Sequence, residues 1–126
     1  MHLEYFQLID RIVEIDVGER RITVEAQVPE VNTIFEGHFP GYPLMPGVLL
    51  IEAMAQASGW LLIALMKFER MPFLAAVKEA KIKIGGKLKC NATLTFSHIP
   101  FPNADLRGHM EAMARKIGFP QQVIVP

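Results

Sequence analysis

Cysteine is nearly missing from this chain. Cys90 stands alone, so no internal disulfide framework is possible, and a single thiol fits a reducing, cytoplasmic setting. Charge of one sign is missing too: thirteen Lys and Arg oppose thirteen Asp and Glu, which leaves a nucleic-acid surface without support. His2, His98 and His109 show no metal-ligand spacing, so neither a metal nor another cofactor is expected. There is no internal repeat and no low-complexity tract. The opening Met1 to Phe6 lacks a basic stretch leading into an apolar core, so a secretory leader is not expected. What remains is 126 residues, 51% hydrophobic and 21% charged. That is the composition of one folded domain with a real core, not of a disordered chain.

The chain is organised around residues 35–66. Residues 35–45 read as a loop rich in Gly, Pro and aromatics, with one imidazole, His38. Residues 46–66 read as a helix. Pro46 suits its first turn, where a missing N–H costs nothing. Gly47 leaves the partly positive N–H groups of that turn open to a ligand. From Val48 to Met66 the helix is apolar on nearly every face, which predicts burial all round or a membrane span. Glu52, Gln56 and Ser58 interrupt the run early, and it barely reaches the roughly 20 apolar residues a span needs; stable membrane insertion is therefore not expected. A carboxyl buried on such a helix is costly unless paired or neutral, which makes Glu52 a functional candidate.

Around this centre, residues 3–9 suggest one helical turn packing Leu3, Phe6 and Ile9. Residues 12–16 and 20–28 read as strands joined by an Asp16-Val17-Gly18-Glu19 turn. In the second, Ile22, Val24, Ala26 and Val28 alternate with polar residues. A turn is expected near residues 69–72, then strands over 73–84 and 87–99. Gly85-Gly86 resembles a two-residue hairpin turn, but that turn pairs Ile82 with Lys89 and sets the apolar face of one strand against the basic face of the other. A slip of one residue flips every side chain. The expectation is therefore that these strands do not pair through this turn and that a strand pair is absent between Ile84 and Gly85. Finally, Asn103 can cap a helix reaching Ile117, with Leu106, Met110, Met113 and Ile117 on one face and Gly118 and Pro120 ending it. The division expected is an α+β domain over 1–100 and a helical extension over 101–126.

The run Phe35-Glu36-Gly37-His38-Phe39-Pro40, Pro43, Met45-Pro46-Gly47-Val48-Leu49, then Ile51-Glu52-Ala53-Met54-Ala55-Gln56 closely resembles the FabZ-type 3-hydroxyacyl-carrier-protein dehydratases. Leu8 to Arg11 and Glu14 to Asp16 are similar to their first strand. The resemblance covers roughly residues 5–84 and returns weakly over 86–99. It implies a hot-dog fold, an antiparallel sheet wrapped around a long central buried helix. It also implies a homodimer with a composite site, or three such dimers in a hexamer, and an acyl carrier protein as partner. The tail beyond Pro100 resembles a branch linked to very-long-chain acyl synthesis for lipid A.

The implied reaction removes water from a (3R)-3-hydroxyacyl thioester to give the trans-2-enoyl thioester. His38 suits the base, since imidazole titrates near neutrality. Glu52 suits the acid, because an apolar setting favours the neutral form that can donate a proton. The resemblance places His38 of one protomer opposite Glu52 of its partner. The Gly47 and Val48 N–H groups would hold the thioester oxygen. Gln56, one turn past Glu52, is a supporting residue. Met54, Met66, Phe68 and Phe73 are candidates for the acyl tunnel. Taken singly, His38 also fits a structural loop residue and Glu52 a carboxylate paired with an Arg; their joint place in the motif favours chemistry. Arg107, Arg115 and Lys116 form a basic face, either plain solvated surface or a dock for an acidic carrier. A hot-dog thioesterase or isomerase, which needs no histidine here, is the rival enzyme. A non-catalytic acyl-binding domain is the other alternative.

Overall fold

The computed structural model describes residues 1–83 and 89–120. After a 3-10 turn at Leu3–Tyr5 come β1 (Arg11–Asp16), β2 (Arg21–Glu25), a one-turn helix α1 (Ile34–Gly37) and the long helix α2 (Gly47–Leu65). Strands β3 (Arg70–Lys83) and β4 (Lys89–Pro100) follow, then helix α3 (Ala104–Lys116). Antiparallel strands and one long helix make the α+β arrangement expected, but the strands form two separate two-stranded sheets, β1–β2 and β3–β4. α2 packs against β2, β3 and β4.

The first sheet contains a device that residue alternation does not predict. Ile12 pairs with Val24 and Ile15 with Ile22, with a register shift between Ile12 and Glu14. Ile12 and Ile15 are three apart, so a regular strand would point them to opposite faces. The bulge leaves Val13 outside, 46% exposed, and keeps both isoleucines on the core side. The turn is tied by the Asp16 carboxylate, which accepts the Glu19 N–H at 2.9 Å.

The second sheet corrects the expectation that its two strands do not pair. They are neighbours, from Arg70 opposite Pro100 to Lys83 opposite Lys89, with register shifts after Leu74 and after Lys78. The second shift holds Glu79 in the left-handed region, at φ 52°. It puts Ile82 opposite Cys90 instead of Lys89. A bulge thus absorbs the one-residue mismatch, and the register no longer calls for an absent strand pair. The junction of Ile84 with Gly85 lies outside the described residues. β3 also begins at Arg70, inside the turn expected over 69–72, because Lys67 and Phe68 take left-handed φ values and turn the chain earlier.

α2 is not buried all round. Ala55, Ala57, Trp60, Ile63 and Ala64 are buried, while Val48 at its start is 72% exposed. Four strands from one chain do not cover a 19-residue cylinder of about 10 Å diameter. By length and composition α2 could cross a bilayer; here it serves as the rod on which the sheets lie. Pro46 is its N-cap residue, just ahead of the first turn, with its carbonyl accepting the Leu49 N–H at 3.0 Å.

The core gathers around the far end of α2: Ile12, Trp60, Ile63, Ala64 and Phe68 pack with Ala114 and Phe119. Phe68 is fully buried, stacked on Phe101 at 5.9 Å and edge-on to Phe119 at 5.6 Å. The segment after Pro100 therefore shares one core with the rest of the chain. Its helix starts where Asn103 Oδ1 accepts the Leu106 N–H at 2.7 Å. Replacing Phe68 with Ala should lower unfolding free energy by about 3–5 kcal/mol, read from urea denaturation; a loss under about 1 kcal/mol would contradict this packing.

Candidate active site

Gly and Pro make the 35–45 segment irregular, and it curls back on itself. Phe39 and Tyr42 exchange backbone hydrogen bonds at 2.9–3.0 Å, and Leu44 N–H reaches His38 O at 3.0 Å. The segment opens not as a loop but as the short α1 helix, with Gly37 its last residue and His38 following. His38 stacks on Phe39 at 4.2 Å. Its Nδ1 lies 2.8 Å from the Leu44 carbonyl. A carbonyl only accepts, so Nδ1 carries a hydrogen, and in the neutral ring the lone pair is on Nε2.

His38, Phe39, Leu44, Gly47, Leu50 and Ile82 line an apolar cavity of about 410 Å³. Gly47 is the first residue of α2, and a Cβ there would collide with Cδ1 of Ile82. The absence of a side chain thus lets β3 close over the helix start. No hydrogen-bond partner is found for the Gly47 or Val48 N–H among the described residues, as the first turn of a helix requires. The pairing of Ile82 with Cys90 is what brings Ile82 over this point, so the bulge at Glu79 reaches into the site.

Glu52 faces another cavity, of about 340 Å³. Along α2 it is lined by Glu52, Gln56, Gly59, Trp60 and Ile63, successive positions on one helical face. Gln56 is held at every polar atom. Its Oε1 accepts the Leu8 N–H at 2.9 Å, and its Nε2 donates to Phe6 O at 2.9 Å and to Glu52 Oε1 at 3.2 Å. It fastens the N-terminal turn to α2 and fixes one carboxyl oxygen of Glu52. Phe6 is 55% exposed and borders this cavity instead of packing inward with Leu3 and Ile9.

Within one protomer, then, His38 meets Gly47, and Glu52 meets Gln56 and Phe73, but His38 and Glu52 open onto different cavities. Phe68 is a core residue that lines neither cavity, and Met54 and Met66 also stay outside both. The residues that sequence reasoning missed are Ile82 and the Trp60, Met110 and Met113 wall. The apolar stripe of the last helix signalled burial without saying against what. Arg107 is paired with Glu111 at 3.0 Å one turn on, which leaves Arg115 and Lys116 as the exposed cations of that face. Among the described residues no group of His, Cys, Asp and Glu is placed to hold a metal.

A family model described as the FabA-like domain matches residues 1–96. The 3-hydroxyacyl-[acyl-carrier-protein] dehydratase FabZ of Clostridium acetobutylicum is 46% identical over 77 residues, 60% of this chain and 54% of that protein. Its counterpart in Fusobacterium nucleatum is 42% identical over 83 residues, 65% of this chain and 57% of that protein. The chain thus spans little more than half the length of these two relatives. The counterpart in Koribacter versatilis is 32% identical over 127 positions, covering 75% of this chain and 81% of that protein. The alignment is longer than this chain, only part of which takes part, so that relative carries residues inside the match that this chain lacks.

Proposed function

Because the chain belongs to the FabA-like family, with the hot-dog arrangement of antiparallel strands around a long helix, we propose that it dehydrates (3R)-3-hydroxyacyl thioesters on an acyl carrier protein, in the cytoplasm, as a homodimer. The observation that carries this is the division of the catalytic groups. His38 with the helix start lies in one cavity and Glu52 in another, while Val48, Val77 and Ile82 stay exposed. A second copy covering that surface would bring each imidazole to its neighbour's carboxyl. A strand pair missing after Ile84 would account for the extra residues of the Koribacter relative.

The steps follow from the groups. The free Nε2 of His38 takes the C2 proton. Charge moves onto the thioester oxygen, where the Gly47 and Val48 N–H groups and the helix dipole hold it. The C3–O bond then breaks as Glu52 gives its proton to the departing hydroxyl, which leaves as water. Gln56 donates to Oε1 of Glu52, which leaves Oε2 as the oxygen free to carry the proton to be given.

The test is a 3-hydroxyacyl thioester followed for two products at once. Enoyl absorbance without free thiol is the expected result. Free thiol without enoyl makes the protein a thioesterase, and binding without either product makes it an acyl-binding domain; both overturn the proposal.

A further inference from the structure

Two glycines stand in α2, and one of them has no structural reason to be there. Gly47 is explained by close approach, since a Cβ would collide with Ile82. Gly59 lies in the helix body, and its backbone is not in the left-handed region that favours glycine. Among the described residues, outside its own helix, a Cβ there would have one heavy atom within 4 Å, Cγ of Pro72 at 3.9 Å, an ordinary contact. Neither backbone conformation nor crowding calls for glycine, and alanine suits a helix interior better. Gly108 of α3 also has room, but it is exposed and borders no cavity described above.

Gly59 borders the Glu52 cavity. It follows Glu52 by seven residues, so the two share one face of the helix, about 10 Å apart along its axis. Pro72, the residue its Cβ would meet, lines the same cavity from β3. A side chain at position 59 would therefore project into the space between α2 and the second sheet, whose Leu74 and Phe96 also line it. Glu52 is the one charged residue of that lining, and Gln56 the one amide. The remainder is the kind of surface an alkyl chain lies against.

We propose that Gly59 is a specificity-determining position: the side chain it lacks keeps the space beside Glu52 open to acyl chains that run about two helical turns past the carboxyl. The inference rests on the reading that the Glu52 cavity takes the acyl chain. Chains too short to reach Gly59 do not need that space, and longer ones do. A methyl group there narrows the passage between Gly59 and Pro72. A leucine side chain, which suits the helix, fills it.

The test measures kcat/KM for a graded series of 3-hydroxyacyl thioesters on the wild-type, Gly59→Ala and Gly59→Leu proteins. Binding of the matching saturated fatty acids is read alongside from the fluorescence of Trp60, the chain's single tryptophan and part of the cavity lining. In Gly59→Leu the ratio of kcat/KM for long over short substrates falls about tenfold or more, and the long acids lose their effect on Trp60. Gly59→Ala moves the ratio the same way and melts at a higher temperature than wild type. An unchanged ratio in folded Gly59→Leu overturns the proposal, as does an equal loss at every length. Where Gly59→Leu fails to fold, the ratio in Gly59→Ala decides in its place. A lower melting temperature for Gly59→Ala also overturns the proposal, because packing would then require the glycine. Failure of the dehydratase reading shows separately, as wild-type protein whose Trp60 responds to the acids while no enoyl product forms.

Discussion

His38→Ala should lose dehydration by about 10²–10⁴-fold, the range for removing a positioned general base. That corresponds to about 3–5 kcal/mol of barrier. The fold should barely register the change. The one hydrogen bond the ring makes among the described residues is to the Leu44 carbonyl, about 1 kcal/mol at this half-buried site, and the stack on Phe39 is at the surface. Glu52→Gln should fall as far, because an amide cannot supply the proton that the leaving hydroxyl needs. It nearly preserves shape, and it can still meet the Gln56 amide by turning its own oxygen toward it. Melting temperature and rate, measured on the same samples, separate a chemical role from a structural one. Either variant keeping more than about a tenth of wild-type turnover would defeat the base and acid assignment.

Mixing those two inactive proteins should restore activity. If each site draws His38 from one protomer and Glu52 from its partner, a mixed dimer holds one intact site and one doubly damaged site. After random exchange in equal amounts about half the dimers are mixed, so about a quarter of wild-type activity returns. A site built within one protomer returns nothing at any mixing ratio, since neither variant carries both groups. The separate cavities of His38 and Glu52 in one chain make the first outcome the expected one. Exchange is confirmed independently by mixing a tagged and an untagged copy.

The elements were legible where a local signal was strong. Pro46 and Gly47 marked the start of α2 to within a residue, and Asn103 marked that of α3, because capping chemistry acts over three or four residues. The alternation of Ile22 and Val24 with Thr23 and Glu25 gave β2 its faces, though the strand stops at Glu25, short of Val28. The bulges were invisible, at Val13, at Ala75 and at Glu79. A bulge conserves composition and shifts phase, so a strand read by alternation looks mismatched where it is in fact repaired.

From the order of residues alone came the motif around His38 and Glu52, the long helix that carries Glu52 and the start of α3, since these depend on neighbours a few positions apart. Folding in three dimensions decided which groups share a space. It set Ile82 over Gly47, put His38 and Glu52 in separate cavities, tied Gln56 to the N-terminal turn, and brought Pro72 beside Gly59. Those contacts join residues far apart in the chain, and the packing that selects among them depends on volume and register summed over the whole molecule.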